Sequence, residues 1–175
     1  MSSLKQLVAM TAGILVLELG CAGNAFAVTV ERIFQAGPTA LCQSALPANE
    51  GTIRKRPLAV QNEGTQPAYV TCSYIVQGSI AIKRALIWSS SNDGTPKTIT
   101  CTGVTGFKSG PNQYVVHTTE LPASGVSTSL DWVPTQFTGG STTVFPSSHF
   151  SLSCLVPPGA GLNQLQLVFD EDIGA

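Results

Sequence analysis

The stretch Pro67–Val76 reads PAYVTCSYIV and decides the fold class, because it is dense in the aromatic and β-branched residues that strands favour. Within it, Cys72 stands between Thr71 and Ser73, so the cysteine points to one face of a strand and the hydroxyl residues point to the other. Two later cysteines sit in the same setting, in the tripeptides Thr100-Cys101-Thr102 and Ser153-Cys154-Leu155. This pattern predicts half-buried strands whose cysteines face a core.

Working outward from that stretch, further segments alternate with period 2 or form short β-rich runs. They are Val28–Phe34, Ser79–Trp88, Pro96–Thr102, Asn112–Thr118, Ser127–Trp132, His149–Val156 and Asn163–Asp170. Residues 53–62 form a further strand that Pro57 confines to a sheet edge. Residues 89–94 form a turn, and residues 134–148 form the longest polar loop. The sequence therefore predicts an all-β, two-layer antiparallel β-sandwich of about seven to nine strands, jelly-roll-like or immunoglobulin-like.

The N-terminus has the order of a secretory signal peptide. Lys5 precedes an apolar run from Leu7 to Leu17, and a short segment then ends in Ala25-Phe26-Ala27. The run is shorter than the roughly 20 residues needed to span a bilayer, so no transmembrane anchor is expected in the mature form. We expect residues 1–27 to be removed between Ala27 and Val28, leaving residues 28–175 as a single β-sandwich domain that is secreted or periplasmic.

The same region could also be interpreted as a lipoprotein signal, but this interpretation is less favoured than cleavage after Ala27. Gly20-Cys21 resembles the end of a lipoprotein processing site, where the cysteine becomes the lipidated first residue. However, Glu18 occupies the position where such sites carry an aliphatic residue. Lipidation at Cys21 therefore stays an alternative to cleavage after Ala27.

The mature segment holds four cysteines, Cys42, Cys72, Cys101 and Cys154, an even number that implies two disulfides in an oxidising compartment. Three pairings are possible, and we favour Cys42–Cys72 with Cys101–Cys154, the second bridge tying two strands together across the core. A Cys72–Cys154 bridge with Trp88 between them would instead fit an immunoglobulin domain, although Leu152 replaces the tyrosine expected two residues before the second cysteine. No C-x-x-C pair is present, so no metal site is expected on these thiols.

Several short motifs resemble those of a loose group of uncharacterised secreted proteobacterial proteins with four cysteines. The resemblance covers roughly residues 40–172 and is carried by Gln61-Asn62-Glu63-Gly64, Tyr69-Val70-Thr71-Cys72, Thr98-Ile99-Thr100-Cys101, the run Phe150–Gly159 with its C-x-x-P stretch, Leu165–Phe169 and Glu171. It implies export, a β-sandwich and two disulfides. The resemblance carries no activity, cofactor or catalytic residue.

Composition limits the classes of function. The formal net charge is −1 and charged residues make up 11% of the chain, so nothing indicates a nucleic-acid partner. Only two histidines occur, His117 and His149, and no G-x-S-x-G or H-E-x-x-H motif surrounds them. Acidic residues are found in the run Asp170-Glu171-Asp172 and, elsewhere in the chain, at Glu120 and Asp131, and the sequence does not show that any two of them flank a cleft as a glycosidase requires. For the acidic run, a solvated tail is favoured over a Ca²⁺ site. No catalytic residue, metal or cofactor is assigned.

Two features remain as candidates for recognition. Arg54-Lys55-Arg56 is a compact basic run that either protects a sheet edge from pairing or meets an anionic surface partner. Trp88 and Trp132 stand at strand ends, where an indole ring can stack on the C–H face of a sugar. These features favour a non-catalytic binding or envelope-surface module, with a glycan or envelope component as the expected partner.

The alternative is a small secreted hydrolase whose site has no familiar motif. The position of four side chains separates the two hypotheses. Trp88 and Trp132 exposed on one face would favour the binding module, whereas His117 and a carboxylate lining one pocket would favour the hydrolase.

Overall fold

Alternation of inward apolar and outward polar residues builds two antiparallel sheets in the computed structural model, which describes residues 28–74, 80–106 and 112–174. The strands are β1 (Thr29–Ala36), β2 (Cys42–Ser44), β3 (Ile53–Arg56), β4 (Ala59–Asn62), β5 (Ala68–Ser73), β6 (Ile80–Ser91), β7 (Lys97–Thr105), β8 (Gln113–Leu121), β9 (Thr128–Trp132), β10 (Phe150–Val156) and β11 (Ala160–Asp172). Two short helices, α1 (Pro38–Leu41) and α2 (Pro134–Thr138), and a 3₁₀ turn at Pro47–Asn49 lie in the connections.

The sheets have six and five strands. The six-stranded sheet runs β3-β4-β11-β6-β9, with β1 paired to the C-terminal half of β11 beside β4. The five-stranded sheet runs β2-β5-β10-β7-β8. Without β2, β3 and β4 the two orders are β1-β11-β6-β9 and β5-β10-β7-β8, which is the jelly-roll arrangement. The predicted all-β antiparallel sandwich is therefore confirmed, in its jelly-roll form.

The strand boundaries differ from the sequence predictions at two places. Residues 53–62 form the hairpin β3–β4 instead of one strand, with Pro57 and Leu58 in the turn, and β3 is an edge strand as Pro57 indicated. Ser89, Ser90 and Ser91 belong to β6 instead of the following turn, because they pair with β11. The structure thus has more strands than the predicted seven to nine.

Both predicted disulfides are confirmed. Cys42 and Cys72 are directly opposite each other on β2 and β5, and Cys101 and Cys154 are opposite on β7 and β10. All four side chains are buried, as the alternation predicted. The expectation that Cys101–Cys154 crosses the core is wrong, since each bridge joins neighbouring strands of the five-stranded sheet. The immunoglobulin alternative, which required Cys72–Cys154, is excluded by the same pairing.

The core lies between the two sheets and contains a group of packed aromatic rings. Phe150 is central, with ring centroids 5.9 Å from Trp132, 5.3 Å from Phe145 and 6.2 Å from Phe137. Phe137 lies on α2 and Phe145 in the loop that follows it, so the polar loop predicted at 134–148 supplies two apolar side chains to the core. These rings fix the loop against the sandwich.

Residues 1–27 lie outside the described part of the chain, and with them the expected signal peptide, the residue Ala27 of the cleavage site and Cys21. Residues Thr29–Asp172 form one compact unit. Val28, the expected first mature residue, donates its backbone N–H to the carbonyl of Gly174 at 3.1 Å. Within the described residues, no helix has the length and apolar character needed to cross a membrane.

Candidate functional site

The two tryptophans lie on opposite faces of the six-stranded sheet. Trp132 pairs with Ala85 on β6, and both side chains are fully buried between the sheets. The Trp132 Nε1–H donates to the backbone carbonyl of Val115 at 3.0 Å, which satisfies the indole inside the core. A binding role for Trp132 is therefore wrong, because its ring has no accessible face.

Trp88 lies on the outer face of the same sheet and is half-buried. It is opposite Ser129 on β9 and opposite Gln164 on β11, so a polar side chain flanks the indole on each side. Residues opposite each other in antiparallel strands point to the same face, which places these three side chains in one row. The predicted binding role of Trp88 thus stays a prediction that this position allows.

A second row lies one step along the strands. Leu86 is opposite Asp131 on β9 and Gln166 on β11, and only 4% of Leu86 is exposed although it belongs to the outer face. Arg84 donates two hydrogen bonds from Nε to the Asp131 carboxylate, at 2.8 and 2.9 Å, and Gln35 donates to Gln166 at 3.3 Å. We call the two rows together the Trp88 face: Leu86, Trp88, Ser129, Asp131, Gln164 and Gln166. These bonds orient two of its polar side chains, Asp131 and Gln166.

A β-bulge adds an amide beside the Trp88 face. The register of β11 against β6 shifts between Leu162 and Gln164, which leaves Asn163 as the extra residue. The Asn163 Nδ2 donates to the hydroxyls of Ser90 and Ser127, each at 2.8 Å. Its Oδ1 is buried without a hydrogen-bond partner among the described residues. The bulge therefore places this amide next to the Trp88 face with its nitrogen bonded to two hydroxyls and its oxygen closed to solvent.

The outer face of the five-stranded sheet has a different chemistry. Its outward positions are mostly hydroxyl residues, and cross-strand bonds join Ser73 to Ser151 at 3.2 Å and Thr100 to Thr118 at 2.9 Å. The exposed aromatic residues Tyr69 and Tyr114 lie on this face but on different, non-adjacent strands, β5 and β8. The two rings therefore do not form one platform.

A cleft of about 310 Å³ lies at the end of the sandwich where three turns meet. Buried Asn62 builds its floor by donating to the carbonyls of Gln66 and Val156, both at 2.8 Å, and by accepting from the N–H of Gly64 at 2.9 Å. Asn62, which belongs to the Gln61-Asn62-Glu63-Gly64 motif, therefore has a structural role: its side chain holds the loops around the cleft together. The acidic residues lining the cleft are Glu63, paired with Arg56, and Asp93, paired with Lys97.

The charge of Asp93 is fixed by its surroundings. Lys97 lies 2.8 Å from the Asp93 carboxylate, and Thr95 donates to it from both its hydroxyl and its backbone N–H. The Lys97 ammonium, followed by the Thr95 hydroxyl, holds the pKa of Asp93 well below its usual range. A general acid needs the opposite shift, so Asp93 is unsuited to donate a proton in a glycosidase-like reaction.

Neither histidine is placed beside a carboxylate in a described cleft. The His117 ring faces the interior and packs edge-on against Trp132, with centroids 5.3 Å apart, and its Nε2 is buried without a hydrogen-bond partner among the described residues. His149 is exposed and contacts the neighbouring hydroxyl of Ser148 at 3.4 Å. Three clefts lined by described residues, next to Asn62, Ile80 and Ile53, contain no histidine. The described contacts of His117 are with the aromatic core and include no carboxylate, so this histidine is not paired with an orienting acid.

Two residues of the acidic C-terminal run, Asp170 and Glu171, form ion pairs with basic side chains. Asp170 accepts from Lys83 at 3.1 Å, and Glu171 accepts from Arg32 at 3.1 Å. Within the described residues, no group of three or more histidine, cysteine or acidic side chains is arranged to hold a metal ion.

No family model matches the chain, and no curated protein matches it by sequence. Among solved structures, it is similar to TmCBM61 in complex with β-1,4-galactotriose, with a TM-score of 0.37 and 9% identity over 80% of this chain and 84% of that one. It is also similar to an exo-β-1,3-galactanase from Phanerochaete chrysosporium with galactose, with a TM-score of 0.33 and 16% identity. That likeness covers 83% of this chain and 29% of the galactanase chain, so the chain spans under a third of the enzyme's length.

Proposed function

We propose that this protein is an exported, non-catalytic glycan-binding module and that the Trp88 face is its ligand site. The observation that carries the proposal is the half-buried indole on the outer face of the six-stranded sheet, flanked on both sides by hydrogen-bonding side chains, Ser129 and Gln164. An aromatic ring between polar groups matches a sugar, whose ring has an apolar C–H face and a rim of hydroxyls.

The polar groups around Trp88 suit an uncharged ligand. Gln164 and Gln166 offer amides that both donate and accept, which is what a hydroxyl needs. Asp131 is already bonded by Arg84, so the pair presents oriented donors and acceptors with no net charge. A neutral glycan is therefore favoured over an anionic or cationic one.

Export is part of the proposal and rests on two observations. The first 27 residues carry the order of a signal peptide, and two disulfides within one small unit are typical of oxidising compartments. In the periplasm or outside the cell, the available glycans are those of the envelope and the surroundings. The expected partner is thus a neutral polysaccharide or an envelope component.

The test is a binding screen of the disulfide-bonded protein against soluble neutral polysaccharides, followed by titration of the best ligand. We expect Trp88→Ala to weaken binding about tenfold or more, because a stacked aromatic ring contributes on the order of 1–2 kcal/mol. Since Trp132 is buried, the change in tryptophan fluorescence on binding should come from Trp88 and disappear in Trp88→Phe.

The matched control is Tyr114→Ala, which removes an exposed aromatic ring from the outer face of the other sheet. It should leave both affinity and the fluorescence change intact. Equal affinity of Trp88→Ala and the unaltered protein would overturn the Trp88 site. Release of reducing sugar from the bound polysaccharide would overturn the non-catalytic assignment and favour the hydrolase.

A further inference from the structure

Among the described residues, the basic side chains that form no ion pair lie on the β3–β4 hairpin. Seven of the described residues are basic, and five of them pair with carboxylates: Arg32, Arg56, Lys83, Arg84 and Lys97. The other two described cations are neighbours on β3. Neither makes an ion pair with a described residue: Arg54 has no such partner, and Lys55 donates to the backbone carbonyl of Thr39 at 3.1 Å in a cleft that Glu50 also lines.

The tip of the same hairpin is apolar. Pro57 and Leu58 form the turn between β3 and β4, and 83% of Leu58 is exposed. The next most exposed large hydrophobic residue of the described chain, Val126, reaches only 63%. An apolar side chain presented this fully to water costs free energy that a contact would recover. The most exposed apolar residue and the two unpaired cations therefore lie in one short hairpin.

Protection of a sheet edge explains only part of this arrangement. Edge strands are commonly guarded by basic residues and proline, and β3 is an edge strand with Arg54–Arg56 and Pro57. That role accounts for the charges and for the proline. It does not account for a leucine at the tip, where a polar turn residue would protect the edge equally well.

We propose that the β3–β4 hairpin binds an anionic lipid surface, with Leu58 entering the interface and the two cations without an ion pair, Arg54 and Lys55, contacting the headgroups. The length of the hairpin suits this contact. Three strand residues span about 10 Å, and the apolar groups of interfacial segments enter the membrane by about 5–10 Å, so Leu58 can enter the interface while the basic residues of β3 stay at headgroup level. A soluble phosphate would use the cations alone, whereas a lipid surface supplies the apolar phase that Leu58 needs. The hairpin is distinct from the Trp88 face, so this contact is independent of glycan binding.

Vesicle co-sedimentation tests the proposal, using the exported protein that begins at Val28 and vesicles of phosphatidylcholine with or without phosphatidylglycerol. At about 0.1 M salt, binding should require phosphatidylglycerol, and it should weaken sharply towards 1 M as the Debye length shortens. Arg54→Gln should weaken binding about fivefold, because each basic side chain near an anionic surface contributes about 1 kcal/mol. Leu58→Asp should weaken it about tenfold.

Two matched variants control for general charge and apolar exposure. Val126→Asp changes an exposed apolar residue outside the hairpin, and Arg32→Gln removes an ion-paired cation, and both should bind as the unaltered protein does. Binding that Leu58→Asp leaves unchanged would overturn the proposal that Leu58 enters the interface, since the cations alone would then account for the attraction to the headgroups. Equal binding to vesicles without phosphatidylglycerol, or none to either, would overturn the proposal outright.

Discussion

At the scale of single residues, Gly103 determines how closely β7 approaches the buried indole. A Cβ atom at this position would lie 2.6 Å from Nε1 of Trp132 and 2.9 Å from Cζ of Phe150. Real Cβ atoms do not come this close to ring atoms, so no larger residue fits without moving the core. The missing side chain of Gly103 therefore provides the space between the sheets that the indole of Trp132 occupies.

Gly103→Ala should lower the free energy of unfolding by about 1–3 kcal/mol, because overpacking forces the rings of Trp132 and Phe150 out of place. This is the reverse of the usual gain when alanine replaces glycine in a strand. Urea unfolding followed by tryptophan fluorescence measures the change. Gly51→Ala, where the added Cβ meets no atom within 4 Å, is the control and should be close to neutral. Equal effects of the two substitutions would contradict the packing argument.

The sequence was sufficient to predict that the cysteines are buried, but it was not sufficient to predict which face of the sheet each tryptophan occupies. Cys72, Cys101 and Cys154 alternate with hydroxyl or apolar neighbours that define a face, and their buried positions follow. The sequence predicted both tryptophans at strand ends, where composition alone leaves the face undecided, although Trp88 lies three residues before the end of β6. Leu130 and Trp132 share a face because they are two residues apart, but Leu86 and Trp88 have the same spacing, so this pattern does not separate the buried ring from the outer one. The match between Gly103 and Trp132 depends on contacts between separate strands, which no local pattern contains.

At the scale of elements, the turn after β6 is built around Asp93. Its carboxylate accepts from Thr95 and Ser91 and pairs with Lys97 at the start of β7, so it connects the two strands that the turn joins. The ion pair with Lys97 needs the ionised carboxylate, and the hydrogen bonds from Thr95 and Ser91 are stronger to it than to the protonated acid. The turn is therefore sensitive to acid.

The low pKa of Asp93 predicts the sign of that sensitivity. Its stabilising contribution is present above the ordinary aspartate pKa of about 3.9 and is lost as the pH falls towards the depressed value in the folded protein. The melting temperature of Asp93→Asn should thus fall less between pH 5 and pH 2 than that of the unaltered protein. Lys97→Gln, which removes the main cause of the shift, should change the pH dependence in the same direction. Parallel melting curves for all three proteins would contradict this account.

Elements were predicted well where alternation was sustained and less well where a turn interrupted it. The segments around Cys72, Cys101 and Cys154 coincide with β5, β7 and β10 to within a few residues. Residues 89–91 were assigned to a turn because serine is a turn former, yet pairing with β11 keeps them in β6. Such long-range pairing overrides local preference. The bulge at Asn163 has the same origin, since a register shift exists only between two strands.

At the scale of the whole molecule, the covalent bridges are distributed unevenly. Both disulfides lie in the five-stranded sheet, one joining its edge strand β2 to β5 and the other joining the inner strands β10 and β7. The six-stranded sheet, which carries the Trp88 face and the β3–β4 hairpin, is held by hydrogen bonds and packing. The two bridges should therefore contribute differently to stability.

Replacing Cys101 and Cys154 by alanine should lower the free energy of unfolding by about 2–5 kcal/mol, and more than the same change at Cys42 and Cys72. Loop length supplies about 0.5 kcal/mol of the difference, since the bridges close separations of 53 and 30 residues. The inner position of β7 and β10 supplies the rest. Loss of Cys42–Cys72 should instead raise amide hydrogen exchange in β2, which has only three residues. A larger global loss from the β2 bridge would reverse this ranking.

The pairing of β1 with β11 has a consequence for how the unit combines with other polypeptides. Thr29 and Asp172, the first and last residues of the compact unit, are partners across these two strands. The chain consequently enters and leaves the fold at neighbouring points on one sheet. A unit with adjoining ends can be placed within a longer polypeptide as a side branch, because the host backbone need not span the sandwich to continue.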